Sequence, residues 1–490
     1  MFHTFTRRGF LAASAALAAS PMLPRPAAAR TAPLSLTATT RVLEIEGRAA
    51  TVFGLVNSAG GPGLTLDPGQ RFRVDLTNDL GEETIIHWHG QIPPNMQDGV
   101  PDLPLPLLKP GETRSFDYEP VAGTHWMHSH VPVQEMNLLA APLIVRTPDD
   151  LAADRQEVVM FLHDFSFRPA EEVLAEITSG AAGHDMAAMA GGAAAGASMT
   201  GMDHSATDMP AGMAGMGGVA MDLNDFDFDA YLVNDRTLFD PEVVAVERGG
   251  RIRLRVINAA AATAFWIDTG QAKARLVAVD GHAVVPVAGT RFGLAMAQRL
   301  DLDIDVPGDG AFPVLALREG ARERTGLILA TPGATVARIA GTGEEDAPAF
   351  DVDLAQELRL KSVAPLAPRA ADRAHMIMLG GSMQPYLWTI DGQTWGSHKP
   401  ITATSGERVE LTFHNMSMMG HPMHLHGHAF QVVNLNGRAI DGALRDTVYV
   451  PPMAMVTVAF DAGEPARWML HCHHMPHLST GMMTEFAVSA

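Results

Sequence analysis

The sequence predicts an all-β protein built from three related sandwich or barrel domains. Three observations predict it. Short alternating apolar and polar runs, cut by Gly and Pro turns, recur along the chain, while long helical periodicity is almost absent. The length of 490 residues suits about three domains at ~150 residues each. One turn-and-strand pattern occurs three times, and a repeat of that kind governs the whole architecture.

The three copies begin at Gly69-Gln70-Arg71, Gly249-Gly250-Arg251 and Gly406-Glu407-Arg408, and end at Asn78, Asn258 and Asn415. In each, Arg lies two residues after the Gly and Asn nine after it. Each reads as a turn, an alternating strand and a polar stop. Nine residues beyond the Asn, the first copy has His87 (His87-Trp88-His89-Gly90) and the third has His424 (His424-Leu425-His426-Gly427). The middle copy has Ile267 there and no histidine. Domains one and three therefore carry the chemistry, and domain two reads as a spacer.

In chain order, residues 1–29 form a leader. Thr6-Arg7-Arg8-Gly9-Phe10-Leu11 precedes a short Ala-rich run to about Leu23, with small residues at Ala27-Ala28-Ala29. Paired arginines before a weakly apolar segment fit a twin-arginine export signal, and the run is too short for a stable membrane span. The twin-arginine export machinery is the expected partner and the bacterial periplasm the expected location. Domain one is expected over 30–150, domain two over 151–345 and domain three over 346–490. The polar stretch Gly341 to Asp346 marks the second boundary, and 169–178 (Pro169 to Thr178) reads as one short helix. Residues about 180–221 are Gly, Ala, Ser and eight of the chain's 28 methionines, a mobile insertion without core-forming periodicity. Thioethers suit Cu(I), which makes Met186, Met189 and Met202 candidate substrate ligands. A net charge of −20 argues against nucleic acid as a partner and favours cations.

The chain has one cysteine, so no internal disulfide can form. It lies in His471-Cys472-His473-His474-Met475-Pro476-His477, with Met482 ten residues on. A thiolate, an imidazole (His477) and a more distant thioether are three of the four ligands of a blue-copper electron-transfer centre. His421, in His421-Pro422-Met423-His424, is an upstream imidazole. In a strand the neighbours of Cys472 project to the opposite face, so His471 and His473 can hold other metals one residue away. His128-Ser129-His130 completes four His-x-His motifs. One such motif is weak; four, paired across duplicated domains, are a strong signal.

These motifs resemble the multicopper oxidase family across the whole mature chain, which implies three cupredoxin-like Greek-key domains and four copper ions. The resemblance implies a type 1 copper on His421, Cys472 and His477 with Met482 axial, and a type 2 copper on His87 and His424. It implies type 3 coppers on His89, His128 and His473, and on His130, His426 and His471. Dioxygen is the implied acceptor. The twin-arginine leader, Met482, the Met-rich insertion and Met418-Met419 are most like the periplasmic copper-tolerance cuprous oxidases of proteobacteria. Cu(I) is then the expected substrate, with phenols or Fe(II) also oxidised, and a monomer is expected. Met419 matches a substrate-copper methionine, although Ser417 stands where relatives carry an acid and Leu478 where some carry a proton-delivering glutamate. Asp98, in Gln97-Asp98-Gly99, is the candidate for proton supply.

A broad laccase and a copper-buffering scaffold without turnover are the alternatives. His163, His282, His375 and His398 fall outside every motif and read as surface or hydrogen-bonded residues. His474 is expected to point away from the partners of Cys472, His428 to flank the cluster, and Trp88 and Trp126 to pack around it.

Overall fold

The computed structural model describes residues 32–179 and 223–490. The leader and the Met-rich segment, with Met186, Met189 and Met202, lie outside the described residues. The regular structure of the described residues is mostly strands, arranged as three pairs of sheets with one further two-stranded sheet. In the first pair, one sheet holds Leu34–Ile45, Arg48–Asn57, Phe72–Asn78 and Thr113–Tyr118. The other holds Leu64–Leu66, Ile86–His89, Gly123–Ser129 and Ala140–Val145. Their facing side chains, among them Leu36, Phe72, Trp88 and Leu143, make a core, and the second and third pairs enclose cores of their own.

The three predicted repeats share one strand pairing, one turn and one asparagine corner. Each Gly-x-Arg strand (Phe72–Asn78, Arg251–Asn258, Arg408–Asn415) runs parallel to the first long strand of its own domain. The turn glycines Gly69, Gly249 and Gly406 have φ of 77°, 66° and 84°, the left-handed region that favours a residue without Cβ. Each terminal Asn is buried and closes the following loop in one way. Asn78 donates to the Glu82 and Leu108 carbonyls and accepts from the Leu80 N–H. Asn258 donates to Thr263 and Leu294 and accepts from Ala260. Asn415 donates to Met419 and Val450 and accepts from Ser417. That loop leads directly into the strands Ile86–His89, Phe265–Asp268 and His421–Leu425, so the repeated amide aims the histidine strands of domains one and three.

Those strands do not alternate in burial. Ile86–His89, Gly123–Ser129 and His421–Leu425 are buried at every residue, because one face meets the domain core and the other meets a neighbouring domain. The helix Ala170–Thr178 forms where expected. Its Val173 and Ile177, four apart and hence on one face, pack into the third-domain core with Trp388. Asp225 is buried beside Tyr386 of domain three. Residues 331–372 are mostly irregular. Gly341, Gly343 and Ala347 bond to Arg324, Arg322 and Ala321 of domain two, and Glu357 pairs with Arg445 of domain three.

Asn258→Ala removes three buried hydrogen bonds in the domain without histidine motifs. It should destabilise by roughly 2–4 kcal/mol. Thermal denaturation followed by circular dichroism should show a Tm several degrees lower with metal content unchanged.

Candidate metal centre

Two strand pairs bring eight imidazoles together. In domain one, Ile86–His89 runs antiparallel to Gly123–Ser129, with His87 opposite His128. In domain three, His421–Leu425 runs antiparallel to Arg467–Cys472, with His424 opposite His471 and Met423 opposite Cys472. The two pairs face each other across the boundary between domains one and three, and every one of these histidines is buried.

The outward ring nitrogens decide what the inward ones can do. His87 Nδ1–H donates to the Asp98 carbonyl and His424 Nδ1–H to the Asp446 carbonyl, both at 2.8 Å. His471 Nδ1–H donates to the Cys472 carbonyl at 2.9 Å, and His128 Nδ1–H to the Ser129 carbonyl at 3.0 Å. His426 Nδ1–H donates to Asp98 Oδ2 at 2.8 Å. A carbonyl only accepts, so each Nδ1 keeps the proton and each neutral ring turns a bare Nε2 lone pair inward. Those lone pairs meet head on. His87 and His424 Nε2 are 3.4 Å apart and His426 and His471 3.1 Å. His128 Nε2 faces His473 Nε2 at 3.4 Å, and His473 Nδ1 has no hydrogen-bond partner among the described residues. Two bare lone pairs at that distance repel unless a cation lies between them. With metal–nitrogen bonds of ~2.0–2.1 Å at roughly right-angled to tetrahedral geometry, two ligands of one ion fall about 3–3.4 Å apart.

The remaining rings fit the same scheme. His89 reverses it: Nε2 lies 3.0 Å from Asp446 Oδ1 and 3.1 Å from Thr447 Oγ1, and Nδ1 has no partner among the described residues. His130 Nε2 is likewise unpartnered. The ligand atoms of His89, His128 and His473 lie within 4.8 Å of one another, as do those of His130, His426 and His471 and those of His87, His89 and His424. Burial, then repulsion between neighbouring imidazoles, holds His89, His130, His424, His426 and His473 well below the ordinary histidine pKa. Burial brings His471 down to about 3. The pocket therefore presents neutral, metal-ready rings.

Cys472 forms a second group on the inner face of domain three. Its Sγ is 3.7 Å from His421 Nδ1 and 3.6 Å from His477 Nδ1, and the two nitrogens are 3.1 Å apart. His421 Nε2 is tied to Ser417 Oγ at 2.8 Å, which leaves its Nδ1 facing the sulfur. Met482 is buried in the same core, where its N–H bonds the His477 carbonyl and its carbonyl receives the Cys472 N–H, both at 3.1 Å. Burial pushes the Cys472 thiol far above its ordinary range, so a metal entering the site must displace a proton. His471 and His473 flank Cys472 and reach the other cluster, as expected from strand alternation.

One expectation is corrected. His474 does not point away from the partners of Cys472: its ring stacks on His477 at 4.0 Å with an 18° interplanar angle. The reason is local, since the strand ends at Cys472 and the helix Met475–Ser479 brings its third residue, His477, back under the ring of His474 at its N-cap. His428 flanks the cluster, bonding the His426 carbonyl and the Gly463 N–H. Trp88 packs on Phe72 and Phe116, and Trp126 stacks on His128. His163 is buried, and His398 stacks on Trp395. Met419 is buried and Met418 exposed, in the loop before His421. Leu478 is buried among Met475 and Ala261.

Asp98 touches one imidazole of each domain, with Oδ1 3.4 Å from His87 Nδ1 and Oδ2 on His426. Gly99 permits this: a Cβ there would sit 1.9 Å from the Ile86 carbonyl oxygen. Sequence reasoning missed Glu135, whose Oε2 lies 2.7 Å from His128 Nδ1 and whose carboxyl is raised by burial. A carboxylate one turn after His130 was the available signal. It also missed Asp446, which holds His89 and is itself gripped by Arg299 of domain two. No spacing links residues so far apart.

Multicopper oxidase family models match residues 37–150, 204–332 and 369–490. This chain belongs to the multicopper oxidase family. It is thus an oxidoreductase of a copper-binding family that uses oxygen. It is 29% identical to multicopper oxidase MmcO of Mycobacterium tuberculosis, over 98% of this chain and 96% of that one. It is 25% identical to copper resistance protein A of Escherichia coli, over 90% of each. In fold it is similar to Fet3p, a multicopper oxidase that functions in iron import (TM-score 0.73, 17% identity, 93% of this chain and 90% of that one). The multi-copper oxidase of Pseudomonas thermotolerans is similar too (TM-score 0.67, 23% identity, 93% and 98%).

The multicopper oxidase's buried imidazoles set a pH dependence. Their folded pKa values lie below the unfolded ~6.5, so below that pH the unfolded chain binds protons that the folded one refuses. The metal-free protein should therefore lose stability steadily as pH falls from about 6.5 to 5. A Tm that stays flat over that range in differential scanning calorimetry would contradict these neutral rings.

Proposed function

We propose that this chain is a cuprous oxidase holding four copper ions, which couples one-electron oxidation of Cu(I) to reduction of dioxygen to two waters. The ligand sets are type 1 on His421, Cys472, His477 and axial Met482, and type 2 on His87 and His424. The type 3 pair takes His89, His128 and His473, and His130, His426 and His471. The observation that carries this reading is the set of inward nitrogen pairs at 3.1–3.4 Å, of which His87–His424 and His426–His471 have both outward N–H groups committed to acceptors. Copper bound there supplies reversible one-electron chemistry at four centres, enough to take dioxygen to water without releasing it half-reduced.

The chain's own residues do the rest. Cys472 joins its sulfur to His471 and His473 by the shortest covalent route available, one peptide unit in each direction. His421 is oriented by Ser417, and His424 and His87 by backbone carbonyls. Asp98, between imidazoles of both domains, is the proposed proton supplier to the cluster. The axial thioether of Met482 favours an easily oxidised substrate.

Cu(I) is the proposed substrate for three reasons. The chain is similar to copper resistance protein A. Met418 and Met419 precede His421 by only two or three residues, one exposed and one buried. The described residues on either side of the Met-rich segment, Ala170–Thr178 and Asp225, pack beside His477 and Trp388. Phenols and Fe(II) are proposed as further reductants. The twin-arginine leader and this copper role together support a periplasmic location, and among the described residues no helix is long and apolar enough to cross a membrane.

Steady-state oxygen uptake with Cu(I), Fe(II) and 2,6-dimethoxyphenol, each with and without added Cu(II), tests the reading. Cu(I) should support the highest kcat/KM, with four Cu(I) consumed per dioxygen. Cys472→Ser should abolish uptake with every reductant, and a variant that keeps full activity would contradict the electron route. Met419→Ala should raise the KM for Cu(I) by about tenfold and leave that for the phenol unchanged.

A further inference from the structure

Methionine is a core residue in most proteins. Among the described residues of this chain, five methionines are more than half exposed, and four of them, Met376, Met416, Met418 and Met453, belong to domain three. Packing gives no reason for thioethers to gather in water at one corner of the molecule.

Strand register shows what stands between them. Arg373–Met383 runs parallel to Arg408–Asn415, which runs antiparallel to Met455–Asp461. Ile377, Leu379, Phe413 and Val456 point into the domain core, so Met378, His414 and Met455 point outward. These three form a single row across the sheet, with Met378 opposite His414 and His414 opposite Met455. Each is half-buried. Side chains on this face do meet across the strands: in the adjoining row, Thr412 and Thr457 Oγ1 are 2.9 Å apart.

The row is held at both ends. The Met378 N–H donates to Asp391 Oδ1 and the Met455 N–H to Asn436 Oδ1, both at 2.8 Å. Between them, the His414 ring makes no hydrogen bond or ion pair among the described residues. Past the strand ends the register continues, since the Asn415 N–H bonds the Ala454 carbonyl. Exposed Met416 and Met453 therefore flank the same corner.

We propose that Met378, His414 and Met455 form a surface site for Cu(I), with one imidazole nitrogen between two thioether sulfurs. Neighbouring strands stand ~4.8 Å apart, and metal–nitrogen and metal–sulfur bonds are ~2.0–2.3 Å long. An ion over His414 is thus within reach of an unbranched, three-torsion methionine from either side. Thioethers select a soft monovalent ion, and imidazole adds a stronger donor that copper accepts. Calcium or magnesium would need six or more oxygens, and the row offers none. Binding here moves no electron. The site lies on the outer face of one sheet, whereas Cys472 lies in the other sheet of the domain. Met416 begins the loop that carries Met418 and Met419 to His421, so an ion in the row waits at the start of that loop. Cu(I) as the natural occupant rests on the reading of the chain as a cuprous oxidase.

Silver(I) is the probe, because it shares the coordination chemistry of Cu(I) and is not oxidised by such an enzyme. Copper-loaded protein is titrated with Ag(I) by calorimetry, and its crystals are soaked in Ag(I) for anomalous diffraction. The parent should take up one more Ag(I) than Met378→Leu/Met455→Leu, a change that keeps side-chain volume. His414→Gln should weaken that one binding event by about tenfold or more. A silver peak should sit in bonding distance of His414 and both sulfurs in the parent and vanish in the double variant, with Tm and the type 1 absorption band unchanged. Equal silver counts in parent and double variant overturn the proposal. So do crystals whose silver lies only at Met418, Met419 or elsewhere, which would make the row a plain apolar face. If the parent fails to turn over Cu(I), the oxidase reading falls, while the silver count still decides the site.

Discussion

Pairs of imidazole nitrogens with no proton between them are the constraint on which the rest of this molecule depends. The outward nitrogens of His87, His424, His426 and His471 are committed to acceptors, most often a backbone carbonyl, so the inward lone pairs of the His87–His424 and His426–His471 pairs cannot relieve one another by sharing a hydrogen. Strand register enforces the clash: His87 opposite His128 and His424 opposite His471 are fixed by the sheets of domains one and three. The repeated asparagine corners fix how those strands enter the sheets. A fold that holds such a repulsive set fully buried is one organised for cations, and the ordering of domains one and three around them follows from it.

Domain two lacks the ligands but not a role. Its Arg299, fully buried, grips the Asp446 carboxylate that orients His89, and also bonds the Thr124 carbonyl of domain one. Arg445 then joins Asp280 of domain two to Glu357 in the connector. A chain of alternating buried charges thus runs from the connector to the cluster. Removing one member would leave its partner charged and buried, at a cost of several kcal/mol.

Much of this was legible in the sequence because it rests on short-range pattern. The Gly-x-Arg…Asn repeat announced three domains, and His-x-His on alternating strands announced which faces would carry ligands. The neighbours of Cys472 had to diverge because a strand's period is two. What stayed hidden depends on how distant segments pack. Asp446 reaches His89 only once domains one and three close, and nothing in its neighbourhood distinguishes it from an ordinary surface acid, whereas Glu135 meets His128 inside domain one by way of the short helix Pro132–Met136. His474 was misjudged because alternation was carried one residue past the strand end, where the Met475–Ser479 helix folds it onto His477. Continuous burial of the ligand strands likewise comes from domain contact, which an alternation rule applied to one domain cannot express.

Anomalous X-ray diffraction at the copper edge on crystals of the copper-loaded protein tests the central claim most directly. The account predicts four peaks: one between His87 and His424, one on each of the His89–His128–His473 and His130–His426–His471 groups, and one against Cys472, His421 and His477. A loaded protein with no density between the paired Nε2 atoms, or with Cys472 bare while copper sits elsewhere, would contradict it.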